Sequence, residues 1–249
     1  MPSFWVHCER DLVSVVGADA RSFLHSQLSQ EIASLNIGEA RASFILQPTG
    51  KIDALVRVRC LAEDSFALDC ESGFGESVVN RLLRFKIRVK AEINLGQTSC
   101  VSYRDCAASP SAVAVAAWRG DGSAWDVFDS APIAEIAQGT DLQYESARIA
   151  SAWPLMGVDI TSEMIPGETG ITEWAVSFTK GCYPGQELVK RMDSRGTRAP
   201  RSLHVIAATP KSLPGDAVML DGVAVGTYTS VAGLIGLALI KRGTDISRL

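Results

Sequence analysis

The forty residues from 153 to 192, WPLMGVDITSEMIPGETGITEWAVSFTKGCYPGQELVKRM, constrain this chain more than any other stretch. They carry neither the two-residue period of a strand nor the 3.6-residue period of a helix, and glycine and proline recur through them. A long aperiodic segment inside a compact domain is where binding and catalytic groups concentrate. It also separates a strand-rich part before it from a short tail after it.

Upstream, residues 4–7 and 12–16 read as a first strand. Gly17-Ala18-Asp19 opens a helix capped by Asp19, with Phe23, Leu24, Leu28, Ile32 and Leu35 at helical spacing until Gly38. Strands over 40–47 and 52–61 flank the turn Pro48-Thr49-Gly50-Lys51 as a hairpin. Then come a short strand at 66–70, an amphipathic helix over 74–85 and an alternating basic and apolar strand over 86–93. Strands at 100–104 and 112–118 and a helix over 141–152 complete this part. Past Arg201, short strands around Pro214-Gly215 and the Asp221-Gly222 turn read as a small all-β unit. The expected class is α+β, antiparallel strands with helices on one face.

The formal net charge is −4, so neither duplex nucleic acid nor an acidic membrane surface is the expected partner. The start, MPSFWVHCERD, lacks the apolar core of an export signal. The most apolar run, 231–240, is about half the length of a membrane span and reads as a buried strand or hairpin. A cytoplasmic protein is expected. Six cysteines include no C-x-x-C pair, and there are three histidines, so no metal site is expected. The first five cysteines read as reduced, mostly buried thiols. No G-x-G-x-x-G, P-loop or G-x-S-x-G is present, which leaves nucleotide cofactors without support.

Within the aperiodic segment, residues 180–187 read KGCYPGQE. Gly181 and Gly185 allow a sharp backbone path close to something else. Gln186 and Glu187 can begin a helix, with Glu187 favoured by its dipole. Cys182 then sits just before a helix N-terminus and two residues after Lys180, and both features lower a thiol pKa. A reactive thiolate and a structural cysteine in a capping turn both satisfy this spacing. His25 can approach in space but is not a nucleophile's partner by sequence. VKRMDSRGTRAPRS gathers Lys190, Arg191, Arg195, Arg198 and Arg201, either to meet an anionic ligand tail or as an exposed linker.

Lys180 through Glu187 match every fixed position of K-G-C-[YF]-x-G-Q-E, the signature of the YgfZ family, and FLHSQLSQEI at 23–32, PTGKIDALVRV at 48–58, RLLRFKIRVKAEI at 81–93 and IPGETGI at 165–171 are similar to further family segments. The chain therefore resembles these folate-binding proteins, which are linked to iron–sulfur cluster assembly and repair and related to the glycine-cleavage T-protein, an aminomethyltransferase. The resemblance implies a three-part architecture around a central cavity. Residues 1–47 plus 141–197 would form a discontinuous folate-binding domain, 48–140 an α+β (ferredoxin-like) domain, and 198–249 a C-terminal β-barrel. It implies tetrahydrofolate as cofactor, with Glu168 holding the pterin ring. Lys180, Tyr183, Gly185, Gln186, Glu187 and Arg191 would complete the binding site, and Cys182 would be the functional thiol. Iron–sulfur carrier or client proteins are the implied partners. The T-proteins' paired aspartates fall on Ala54 and Leu55 here, with Asp53 one residue away and on the opposite strand face. That argues against the alternative of a folate-dependent one-carbon transferase. A non-catalytic adaptor is the other alternative, and it would keep its function without the Cys182 thiol.

Overall fold

A computed structural model describes residues 2–119, 122–194 and 199–249. Strand β1 spans Phe4–Val16 without a break, although Glu9, Arg10 and Asp11 interrupt its apolar alternation. Their charges are absorbed locally. Asp11 Oδ2 accepts from the backbone N–H groups of Gly73 and Gly75 at 2.8 Å, and Arg10 donates to Asp69 and Glu71. Helix α1 (Ala20–Gln27) precedes the hairpin of β2 (Ala40–Leu46) and β3 (Ile52–Ala62). Strand β4 (Ser65–Glu71), helix α2 (Gly75–Phe85) and strand β5 (Glu92–Arg104) follow. Short strands β6 (Val115–Ala116), β7 (Trp125–Phe128) and β8 (Ala137–Gln138) lead to helix α3 (Asp141–Ala150). All eight strands join one sheet in the order β2-β3-β4-β1-β5-β7-β6, with β8 in parallel beside β1.

From Ala54 onward, past the register shift that pairs Leu46 with Ile52, alternation along β3 sorts the two faces. Ala54, Val56 and Val58 pack with Leu24 of α1 and with Val78 and Leu82 of α2. Ile52 and Leu55 join Phe44 and Leu46 of β2 in a second core, filled by Trp153, Met156, Ile171 and Tyr183. The aperiodic segment is therefore a packed layer, built of a single 3-10 turn (Pro166–Glu168), helix α4 (Thr172–Ala175) and helix α5 (Gln186–Ser194). Strands β9 (Arg201–Ala207), β10 (Ala217–Leu220), β11 (Val223–Ala232) and β12 (Ile235–Lys241) form a second antiparallel sheet, ordered β10-β11-β12-β9.

Several expectations are corrected. Helix α1 ends at Gln27, because Leu28 turns into a bridge with Ile45, yet Ile32 and Leu35 are buried all the same. The Asp19 carboxylate does not cap α1 but accepts from the Lys90 N–H at 2.7 Å. Residues 86–91 are not a strand: Arg88 has φ 57° and Ile87 is 78% exposed, so β5 starts only at Glu92. The strand expected over 112–118 shrinks to Val115–Ala116. Strands β2 and β3 pair across the turn at 47–51. The tail is an open four-stranded sheet among the described residues, with β10 and β9 as unpaired edges rather than a closed barrel. The Asp221-Gly222 turn does join β10 to β11, with both residues at positive φ as a two-residue hairpin turn requires, and the apolar run folds into the β11–β12 hairpin.

Candidate functional site

The octapeptide lies on the turn of the β2–β3 hairpin. Gly185 has φ 79°, and a Cβ there would lie 2.4 Å from Gln47 O, so both conformation and space require glycine. Gly181 has no such need, since its nearest neighbour would be His25 Nε2 at 4.0 Å. The structure thus brings His25 to the loop. Burial, and secondly the Lys180 ammonium, hold the imidazole below its usual pKa, with Glu31 opposing.

Lys180 is 6% exposed, and its ammonium donates to the carbonyls of His25, Leu28 and Gln30. Three acceptors take its three protons. Burial draws its pKa down to about 8, against the pull of Glu31. Lys180 therefore ties the loop to the end of α1. Tyr183 is buried in the second core, with burial pushing its phenol up to about 12. Its hydroxyl and the Gln186 Oε1 are both buried without a hydrogen-bond partner among the described residues. Glu187 and Arg191 pair one turn apart on the exposed face of α5. Cys182 is exposed and lies four residues before α5, which begins at Gln186.

Glu168 closes the 3-10 turn and is 5% exposed. Its Oε2 accepts from the Ile165 N–H at 3.0 Å, and its Oε1 accepts from Arg201 Nε at 2.8 Å. The expected pterin-holding carboxylate is thus engaged by the first residue of β9. Of the basic stretch, Arg195 and Arg198 lie outside the described residues.

Two cavities flank this loop system, and neither is lined by Cys182 or Glu168. The first, about 220 Å³, lies over the β2–β3 face of the large sheet. Trp118, Trp153, Trp174 and Tyr144 wall it, Leu55 closes one side, and Arg41, Arg57 and Arg119 supply positive charge. Trp118 sits at φ 52°, rare for a bulky residue, with Arg104 stacked at 4.0 Å and Tyr144 at 5.6 Å. Arg119 stacks on Trp174 at 4.2 Å and donates to Gly170 O at 3.3 Å. Strained backbone at a ligand-sized opening is a recurrent mark of function. No sequence signal announced these residues. The tryptophans fall 21 to 56 positions apart and meet only through the fold. The second cavity, about 440 Å³, lies between α5 and β9, with Phe178, Leu188 and Val189 on one side and His204 and Lys241 on the other.

The architecture has a clear counterpart. No family model matches the chain. The glycine cleavage system aminomethyltransferase T from Bartonella henselae superposes with a TM-score of 0.70, covering 96% of this chain and 78% of that one at 15% identity. The chain has the aminomethyltransferase T fold. Its sequence is 25% identical to an uncharacterized protein of Haemophilus influenzae, over 79% of this chain and 70% of that protein. It is 27% identical to the mitochondrial iron-sulfur cluster assembly factor IBA57 of Mus musculus, over 94% and 76% respectively. A 73-residue stretch is 34% identical to the tRNA-modifying protein YgfZ of Yersinia enterocolitica, covering 29% of this chain and 22% of that protein. Within the T fold of this chain, Leu55 faces the first cavity, Ala54 is buried in the α1–α2 core, and Asp53 pairs with Arg81 at 3.1 Å. No carboxylate enters the cavity from that part of β3.

The aromatic walls suit a flat fused heterocycle, and the arginines suit a carboxylate tail. The room is below the roughly 300–1,000 Å³ of drug-sized sites, so it suits a ring system more than a whole drug-sized ligand. The acids present there are Glu71 and Asp126, and Asp126 is engaged by Arg57 and Arg104. Among the described residues no helix is long and apolar enough to cross a membrane.

Proposed function

We propose that this protein binds a tetrahydrofolate in the tryptophan-walled cavity and supports assembly or repair of iron–sulfur enzymes in the cytoplasm, with Cys182 as its functional thiol. The observation that carries the reading is the cavity itself, which combines three indoles with four guanidinium groups in a T fold. The names of the mouse and Yersinia relatives and the intact KGCYPGQE octapeptide support the cluster-related part. The pterin would lie between Trp118 and Trp174, and Arg41 and Arg119 would meet the glutamate tail. Glu168 lines neither cavity, so for it to read the ring Arg201 must yield it and its turn must move toward the tryptophans. In this reading Lys180 and Gly185 hold the loop in place, and Tyr183 and Gln186 each keep a polar atom ready for a ligand or partner group. Glu187 and Arg191 present charge beside the exposed Cys182, where a carrier or client protein would dock.

A one-carbon transferase is the weaker reading, because the cavity wall offers Leu55 where the T-protein resemblance calls for a carboxylate. Calorimetric titration with tetrahydrofolate tests the proposal. The native chain should bind, and Trp174→Ala should weaken binding tenfold or more, about 1.4 kcal/mol. Glu168→Ala in the same series separates a ring-reading carboxylate, which would cost affinity, from a structural strut, which would not. Absence of binding by the native chain would sink the folate part of the reading.

A further inference from the structure

Cys8 of β1 stands directly opposite Cys100 of β5 in the antiparallel register. Of the six cysteines, these two are the ones paired across a ladder. Cys60 faces Phe66, and Cys70 faces Asp11. Residues directly opposite point to the same face of a sheet, with Cα atoms about 4.5 or 5.5 Å apart according to the ladder position. Both values fall inside the roughly 4.4–6.8 Å that a disulfide spans. Opposed Cβ atoms sit about 4.5–5.5 Å apart, and a disulfide needs about 3.5–4.5 Å, so a closure of about 1 Å suffices.

We propose that Cys8 and Cys100 form an oxidisable dithiol, a modification site at which a hydroperoxide drives an intramolecular cross-strand disulfide. Access is asymmetric in the way such chemistry needs. Cys8 is half-buried, beside Trp118 and Tyr144 of the first cavity's wall, whereas Cys100 is 2% exposed. The two thiols face each other across the ladder. That contact draws the Cys8 thiol down against its burial, and the same contact together with burial pushes Cys100 up. Cys8 is therefore the attacking sulfur. Its thiolate displaces hydroxide from the hydroperoxide O–O bond and becomes a sulfenic acid. Cys100 then attacks that sulfur, the S–O bond breaks, and the Cys100 proton leaves with the hydroxyl as water. Two thiols lose two electrons and two protons, and the peroxide takes up both. The inference does not depend on folate binding.

The test is peptide mapping of the full chain after brief treatment with hydrogen peroxide, then alkylation under denaturing conditions. Trypsin releases Cys8 in residues 1–10 and Cys100 in residues 91–104. The expected result is that these two peptides are recovered joined, two hydrogens lighter, in most molecules, and that Cys100→Ser instead leaves a dimedone-reactive sulfenic acid on Cys8. Recovery of both peptides singly alkylated, with oxidation confined to the exposed Cys182, would overturn the proposal. So would a Cys8 that stays unoxidised in Cys100→Ser. Should that variant not fold, the native-chain map alone decides.

Discussion

At the scale of single residues, Gly185 and Gly181 look equivalent in the octapeptide and are not. Gly185 is in the left-handed region, and a Cβ there would lie 2.4 Å from a hairpin carbonyl; Gly181 has open space to 4.0 Å. A side chain in the left-handed region costs roughly 1–2 kcal/mol before any clash. Gly185→Ala should therefore lower stability by about 2 kcal/mol or more, read as a shifted urea midpoint, and Gly181→Ala should leave it within about 0.5 kcal/mol. Equal midpoints would mean that the loop relaxes freely off the hairpin. The lysine of the same motif is likewise redefined by its surroundings. Lys180 reads as a thiol activator in the sequence and acts in the structure as a clamp on three carbonyls of the α1 end.

At the scale of elements, the large sheet is crossed by a row of charges that no local pattern reveals. Asp69 of β4 accepts from Arg10 and Arg57, and Asp126 of β7 accepts from Arg57 and Arg104. Burial pushes both carboxyls up. Arg57 and Arg10 at Asp69, and Arg104 and Arg57 at Asp126, outweigh it and hold both below the usual carboxylate range. A carboxyl whose folded pKa is depressed stabilises the fold fully above its unfolded value, near 3.9, and that contribution is lost as pH falls through the folded value. Urea midpoints should therefore hold down to about pH 5 and decline steeply below about pH 4. Asp126→Asn should lower stability at pH 7 by about 3 kcal/mol and flatten the acid decline. An unchanged acid slope in that variant would remove Asp126 from this account.

At the scale of the whole molecule, one buried pair fastens the C-terminal sheet to the rest. Arg148 of α3 donates to Asp159 Oδ2 at 2.8 Å, to Trp153 O at 2.7 Å and to Ser230 Oγ of β11 at 2.8 Å. Asp159 in turn accepts from Ser230 Oγ and the Leu155 N–H. Both charged side chains are fully buried, so removing Asp159 strips Arg148 of its buried counter-ion and leaves it only the partly exposed Glu145. Asp159→Ala should cost about 3–5 kcal/mol and should lower the thermal midpoint of the entire chain. Loss confined to the C-terminal sheet, seen as protease cleavage after β9 with the large sheet intact, would show that the pair only docks that sheet.

The sequence by itself determined the local elements whose signals are contained within a few residues. The β2–β3 and β10–β11 hairpins follow from their turn residues, α2 from its apolar stripe, and β4 from a short apolar run between turns. It also marked the octapeptide as unusual, and the resemblance drew attention to Glu168. Tertiary structure decided what each marked residue does, since every relevant partner is distant in the chain. Lys180 reaches the end of α1, Glu168 takes Arg201 of β9, and Trp118, Trp153 and Trp174 meet around one opening. It also decided where α1 stops, because Leu28 gains more from bridging Ile45 and supporting the Lys180 clamp than from another turn of helix. Short-range propensity is worth a fraction of a kcal/mol per residue. Burial of one large apolar side chain, or the pairing of one buried charge, outweighs it, and both depend on which distant segments the fold brings together.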